Sequence, residues 1–105
     1  MREVTLEQFW AAAARGEACF DARREADAPL AGAVRLTLAD VQAGRLPDID
    51  PSTPVYLVCE YGAMSELVGL YLEAAGFGEV RHVTGGLRQM SEPQGLQAEK
   101  SESLM

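Results

Sequence analysis

Val55-Tyr56-Leu57-Val58-Cys59-Glu60-Tyr61-Gly62-Ala63-Met64-Ser65 is the stretch on which the fold turns. Its first five residues are apolar, partly β-branched and aromatic, and show no alternation. That is the pattern of a central strand buried on both faces. Glu60 to Ala63, with Gly62 inside it, predicts a turn. A helix is expected from about Ser65 to Ala75. Met64, Leu67, Val68, Tyr71, Leu72 and Ala75 recur at helical spacing as one apolar stripe, and Gly76 ends it.

This arrangement puts Cys59 at the carboxyl end of a buried strand, where ligands bind in open α/β sheets. The residues Glu60, Tyr61, Gly62, Ala63, Met64 and Ser65 then form a tight loop into a helix N-terminus. Such a loop can turn several backbone N–H groups inward, and the helix dipole adds positive potential. Both favour a thiolate, the nucleophilic form of cysteine. Gly62 permits a turn that a side chain would obstruct.

Working outward, Thr5 and Gln8 form a capping box, and Leu6, Phe9, Trp10 and Ala13 follow at helical spacing up to Gly16. Ala18-Cys19-Phe20-Asp21 predicts a strand ending near Asp21. Ala33 to Leu36 predicts a second. Thr37 caps a short helix with Asp40 as box partner, and Gly44 stops it. Pro47, Pro51 and Pro54 mark a loop. Glu79 to Val83 is a further strand, and Gly85-Gly86 opens a last helical turn through Met90. From Ser91 onward the chain is polar and is expected to be a disordered tail, residues 91–105, after a domain of residues 1–90. Strands alternating with helices indicate an α/β domain with a mostly parallel sheet of about five strands.

The chain has 105 residues, 48% of them hydrophobic, which allows one domain and excludes two. A net charge of −7 argues against nucleic acid, whose affinity needs Lys and Arg on phosphates. Two cysteines, Cys19 and Cys59, with a single histidine cannot build a structural zinc site. No metal and no cofactor is expected. Without a CxxC pair or a disulfide scaffold, the chain reads as cytoplasmic, with reduced thiols. Phe9 to Ala14 is too short and too soon interrupted for a signal peptide, and no apolar run approaches the ~20 residues of a membrane span.

Five segments, in order, resemble the rhodanese-type sulfurtransferases. Cys59-Glu60-Tyr61-Gly62-Ala63-Met64-Ser65 is similar to that family's active-site loop, Cys-x-x-Gly-x-Arg followed by a small residue. Cys19-Phe20-Asp21-Ala22-Arg23 resembles its first strand with an Asp-x-Arg motif. Gly32-Ala33-Val34-Arg35-Leu36 resembles its Gly-Ala strand. Ala75-Gly76-Phe77 with Val80 resembles its helix-to-strand junction, and Gly85-Gly86 its late turn. The resemblance spans roughly residues 5 to 90. It implies a three-layer α/β/α fold. It implies that Cys59 takes a sulfane sulfur as a persulfide and passes it on, with the loop amides holding the charge. Asp21 and Arg23 would brace the loop without reacting. The implied partners are a small donor (thiosulfate, 3-mercaptopyruvate or a persulfide) or a protein acceptor.

Three departures shape the expectation. Met64 stands in place of the loop arginine. Glu60 puts a negative charge beside the cysteine. Leu30-Ala31 replaces a usual histidine, and Met90 an aromatic. A protein-bound persulfide or a less charged donor therefore fits better than thiosulfate. The alternative function is a non-catalytic binding or redox-sensing module in which Cys59 is vestigial or oxidisable. A phosphatase is rejected, because no arginine follows the cysteine at the distance needed to grip phosphate. Cys19 reads as a core side chain, with a resolving thiol as the alternative. His82 reads as a partly exposed strand histidine, with a general base as the alternative.

Overall fold

A computed structural model describes residues 1–88. The expected helical turn through Met90 and the polar tail lie outside the described residues, apart from the turn's beginning at residues 84–88. The elements are β1 (Arg2–Val4), α1 (Leu6–Ala14), β2 (Ala18–Asp21), β3 (Val34–Arg35), α2 (Leu38–Gln42), β4 (Val55–Val58), α3 (Ala63–Ala74) and β5 (Val80–Val83). The five strands form one sheet in the order β1-β5-β4-β2-β3, and every pairing is parallel. β4 is the central strand, in keeping with its unbroken apolar run.

Side-chain alternation along β4 divides the core in two. Val55, Leu57 and Cys59 join Phe20, Val68, Leu72 and Val80 in the cluster beneath α2 and α3. Val58 joins Leu6, Phe9, Ala12, Cys19 and Val83 in the cluster beneath α1. The layers are thus α1, the sheet, and α2 with α3. Both predicted capping boxes are present. Thr5 and Gln8 exchange bonds of 3.0 and 2.8 Å, and Thr37 and Asp40 exchange bonds of 3.1 and 2.9 Å.

Four expectations need correction. β1 is a strand that the sequence does not announce, because three residues at an edge carry too little pattern. The strand over Ala33 to Leu36 shortens to Val34–Arg35. α3 starts at Ala63 and its buried face is Ser65, Val68, Gly69 and Leu72. Leu67 and Tyr71, both in the expected stripe, are 40% and 42% exposed. Size decided this face at Gly69, where a Cβ would run into Met1 Sδ and crowd Leu57, while Ser65 turns in toward Cys59. His82 is buried, 7% exposed, because β1 pairs Glu3 beside it and covers the edge of β5.

The corrected face makes a prediction. Leu72→Ala should cost about 2–5 kcal/mol in urea unfolding, while Leu67→Ser should stay within about 0.5 kcal/mol. Equal losses at both positions would restore the stripe expected from periodicity.

Candidate functional site

β4 delivers Cys59 to the start of α3, where the residue is only 1% exposed. The Gly62 N–H donates to Sγ at 3.0 Å and the Ser65 N–H at 3.3 Å. The Cys59 thiol in turn lies 3.7 Å from Ser65 Oγ as a donor, and Ser65 Oγ donates onward to the Gly62 carbonyl at 3.1 Å. These bonds explain how α3 begins. Its N-cap is Gly62, which makes no side-chain capping bond. Sγ of Cys59, three residues upstream, takes the Ser65 amide that a capping side chain would otherwise take.

Two glycines close the loop. Gly62 has φ 99°, in the left-handed region, and a Cβ there would stand 2.8 Å from the Gly85 nitrogen. Gly86 has φ 61°, and a Cβ there would collide with the Cys59 carbonyl oxygen. That close approach lets the Leu87 N–H donate to the Cys59 carbonyl at 2.8 Å and the Arg88 N–H to the Glu60 carbonyl at 2.9 Å. The Gly85-Gly86 turn is therefore a main-chain clasp on the loop. Arg88 also lies over the Tyr61 ring, 5.7 Å from its centroid.

Asp21 and Arg23 pair with each other, and Asp21 gathers more partners than the Asp-x-Arg motif alone suggested, none of them in the loop from Cys59 to Ser65. Asp21 is fully buried where β2 runs beside β4, and the Ala22 N–H bonds the Val58 carbonyl at 2.8 Å. Its carboxylate meets Arg23 Nη2 at 2.7 Å, Arg35 Nη1 at 3.3 Å, and the N–H groups of Arg23 and Leu30 at 3.0 and 3.2 Å. Burial acts to raise the Asp21 pKa, but the Arg23 side-chain and backbone bonds, then the Arg23 charge and the Leu30 amide, outweigh it. The carboxyl is held below its ordinary value of 3.8. Arg23 is tied first to Asp21 and also feels the charge of Glu60. Arg35 has no signal in the sequence, since only the β2–β3 register, Asp21↔Arg35, brings it here.

Met64 projects into a depression of about 430 Å³ shared with Leu38, Ala39, Thr37, Gln42 and Arg24. Both Met64 and Leu38 pack on the cluster that contains Cys59. His82 lines another depression with Gly62, Ala63 and Glu66. Its Nδ1 has no hydrogen-bond partner among the described residues. Cys19 sits under α1, on the opposite face of the sheet from Cys59, and neither is disulfide-bonded. Burial, with the charge of Glu17 adding to it, pushes the Cys19 thiol up to about 11.

The sequence matches the family described as Rhodanese-like domain over residues 5–92. The chain belongs to this family. A rhodanese homologue from the extreme thermophile Thermus thermophilus is similar to it at 35% identity and a TM-score of 0.64, over 83% of this chain and 98% of that one. The polysulfide-sulfur transferase homodimer of Wolinella succinogenes shares the fold at 18% identity and a TM-score of 0.59, over 88% of this chain and 74% of that one. So does a Rhodanese_3-like domain from Anabaena, at 20% identity and a TM-score of 0.60, over 71% of this chain and 90% of that one. No curated protein sequence matches significantly. Among the described residues no helix is long and apolar enough to cross a membrane.

The Asp21–Arg23 pair carries a pH signature. Because the folded Asp21 value is lowered, its stabilisation is complete above the ordinary 3.8 and is lost as pH falls through the folded value. Arg23→Met, which leaves the buried carboxylate short of a partner, should cost on the order of 3 kcal/mol at pH 7. The loss should shrink in acid, as pH falls below the ordinary 3.8 and through the lowered folded value of the parent. Denaturant titration at neutral pH and in acid checks this, and a pH-independent loss would rule out the charge account.

Proposed function

We propose that this domain moves a sulfane sulfur through a persulfide on Cys59. What carries the proposal is the pair of main-chain N–H groups, from Gly62 and Ser65, aimed at Sγ at the N-terminus of α3. The Cys59 thiolate attacks the terminal sulfur of a donor persulfide, R–S–S⁻. The new S–S bond forms as the old one breaks, and the electron pair leaves with R–S⁻. The thiol, which donates to Ser65 Oγ at rest, gives up its proton to solvent before the attack. A second nucleophile then attacks the outer sulfur and Cys59 leaves as thiolate, so no net oxidation occurs.

The surroundings of the loop favour a weakly charged donor. Met64 and Leu38 line the adjoining depression, to which, among the described residues, Arg24 alone brings a charge. Glu60 opposes an anionic donor, although Arg23 offsets part of its field. A thiol this deeply buried meets only a donor atom that projects, as a terminal sulfane sulfur does. The same burial is the one observation favouring the other reading, a partner-binding or redox-sensing module with an idle Cys59.

Intact mass after incubation with thiosulfate, 3-mercaptopyruvate or an organic persulfide separates the two. Sulfur transfer predicts a gain of about 32 mass units that Cys59→Ser abolishes and Cys19→Ser leaves in place. No gain from any donor would leave only the binding module. Ser65→Ala should slow loading about three- to tenfold, the worth of one hydrogen bond. Met64→Arg should raise loading from thiosulfate more than from the persulfide. An unchanged donor preference in a folded variant would refute the account of Met64.

A further inference from the structure

We infer that the depression between α1 and the β1–β5–β4 edge binds a small tetrahedral oxyanion, a phosphate or sulfate group, gripped by Arg2, Arg81 and Arg15. In the parallel sheet, Arg81 is the Cα partner of both Arg2 and Tyr56. Residues in one register row leave the same face, so these three side chains project together. α1 lies over that face and adds Gln8 and Arg15, enclosing a depression of about 370 Å³. This site owes nothing to the proposed sulfur chemistry. Tyr56 lies three residues before Cys59, about 10 Å along the strand, and Cys59 belongs to the cluster on the opposite face.

Charge gives the site its ligand. The chain holds nine Lys and Arg residues and has a net charge of −7, yet three arginines share this one concavity. Like charges side by side in a sheet repel unless something screens them. Two carboxylates do so from the rim: Glu79 takes Arg81 Nη2 at 3.2 Å, and Glu17 takes Arg15 Nε. Arg2 pairs with no carboxylate among the described residues. Glu3 borders the depression, but alternation along β1 assigns its side chain to the other face, in the row of His82. One positive charge is thus left over, together with guanidinium N–H groups that the rim carboxylates do not use. Arg81 is also held in place. Its side chain is 12% exposed, it lies over the Tyr56 ring at 5.5 Å, and its Nη1 bonds the Glu79 carbonyl at 3.1 Å. The fixed Arg81 guanidinium fork matches the oxygens of phosphate and sulfate, so the ordering left for binding falls on the exposed Arg2 and Arg15.

Amide NMR of the full chain, titrated with sodium phosphate, sodium sulfate or sodium chloride at matched ionic strength, tests this. Phosphate and sulfate should produce saturable shifts at Arg2, Ala11, Arg15, Tyr56 and Arg81, and chloride should not. Arg2→Gln and Arg81→Gln should each weaken phosphate binding about tenfold or more, the loss of one charge-assisted pair. Arg2 is exposed, so Arg2→Gln decides the matter even if Arg81→Gln fails to fold. Shifts shared by chloride, variants that titrate like the parent, or saturation centred on Gly62 to Ser65 would each overturn the assignment.

Discussion

The contact between Cys59 Sγ and the amides of Gly62 and Ser65 joins the fold to its chemistry. Every helix must satisfy the N–H groups of its first turn. α1 and α2 do so with the threonines of their capping boxes. α3 begins on a glycine and gives that task to a sulfur from the preceding strand end. The same geometry ends β4, starts α3 and surrounds one sulfur with donors. Strand, loop and helix are therefore not independent parts that happen to flank a reactive residue. A shift of α3 along the sheet would uncap the helix and open the sulfur site together.

Much of this was legible in the sequence. The run from Val55 to Val58 announced a central strand, and two S/T-x-x-polar boxes announced two helix starts. Five family motifs in order placed Cys59, Asp21 and the Gly85-Gly86 turn, and the family match over residues 5–92 bears the fold out. What stayed hidden depends on pairing. β1 acquires its identity only from β5, and through it His82 becomes buried. Arg35 reaches Asp21 only through the β2–β3 register. The inner face of α3 follows close approach at Gly69 and the turn of Ser65 toward Cys59, where periodicity in hydrophobicity pointed to Leu67 and Tyr71. The cap of α3 was unreadable for a similar reason, since no capping rule looks for a cysteine three residues before a glycine.

Charge around the loop is arranged in two layers with different purposes. Asp21 is buried and holds two arginines and two backbone amides, which ties the end of β2 to β3 and to the segment that follows β2. Arg23 then faces Glu60 with whatever positive potential Asp21 leaves it. The loop keeps the negative charge of Glu60, offset in part by Arg23, and what Cys59 Sγ meets directly is a pair of backbone dipoles. Dipoles stabilise a buried anion without drawing in distant ones, because their field falls off quickly. On the proposed sulfur transfer, that distinction would give Met64 more bearing on which donor arrives than on whether a sulfur anion can be held once formed.

The two cysteines show how little of this depends on residue type. Cys19 and Cys59 are both almost inaccessible; Cys19 lies on β2, and Cys59 one residue past the end of the adjacent β4. Cys19 packs beneath α1 among Leu6, Phe9 and Ala12, where burial pushes its thiol up to about 11 and no N–H group among the described residues compensates. Cys59 leaves the opposite face at a strand end, where the chain must turn and a helix must start, and the turn supplies donors that a strand interior spends on its neighbours. A thiol in the middle of a strand is packing. One residue past the end of a parallel strand, it stands where backbone amides become free to hold charge.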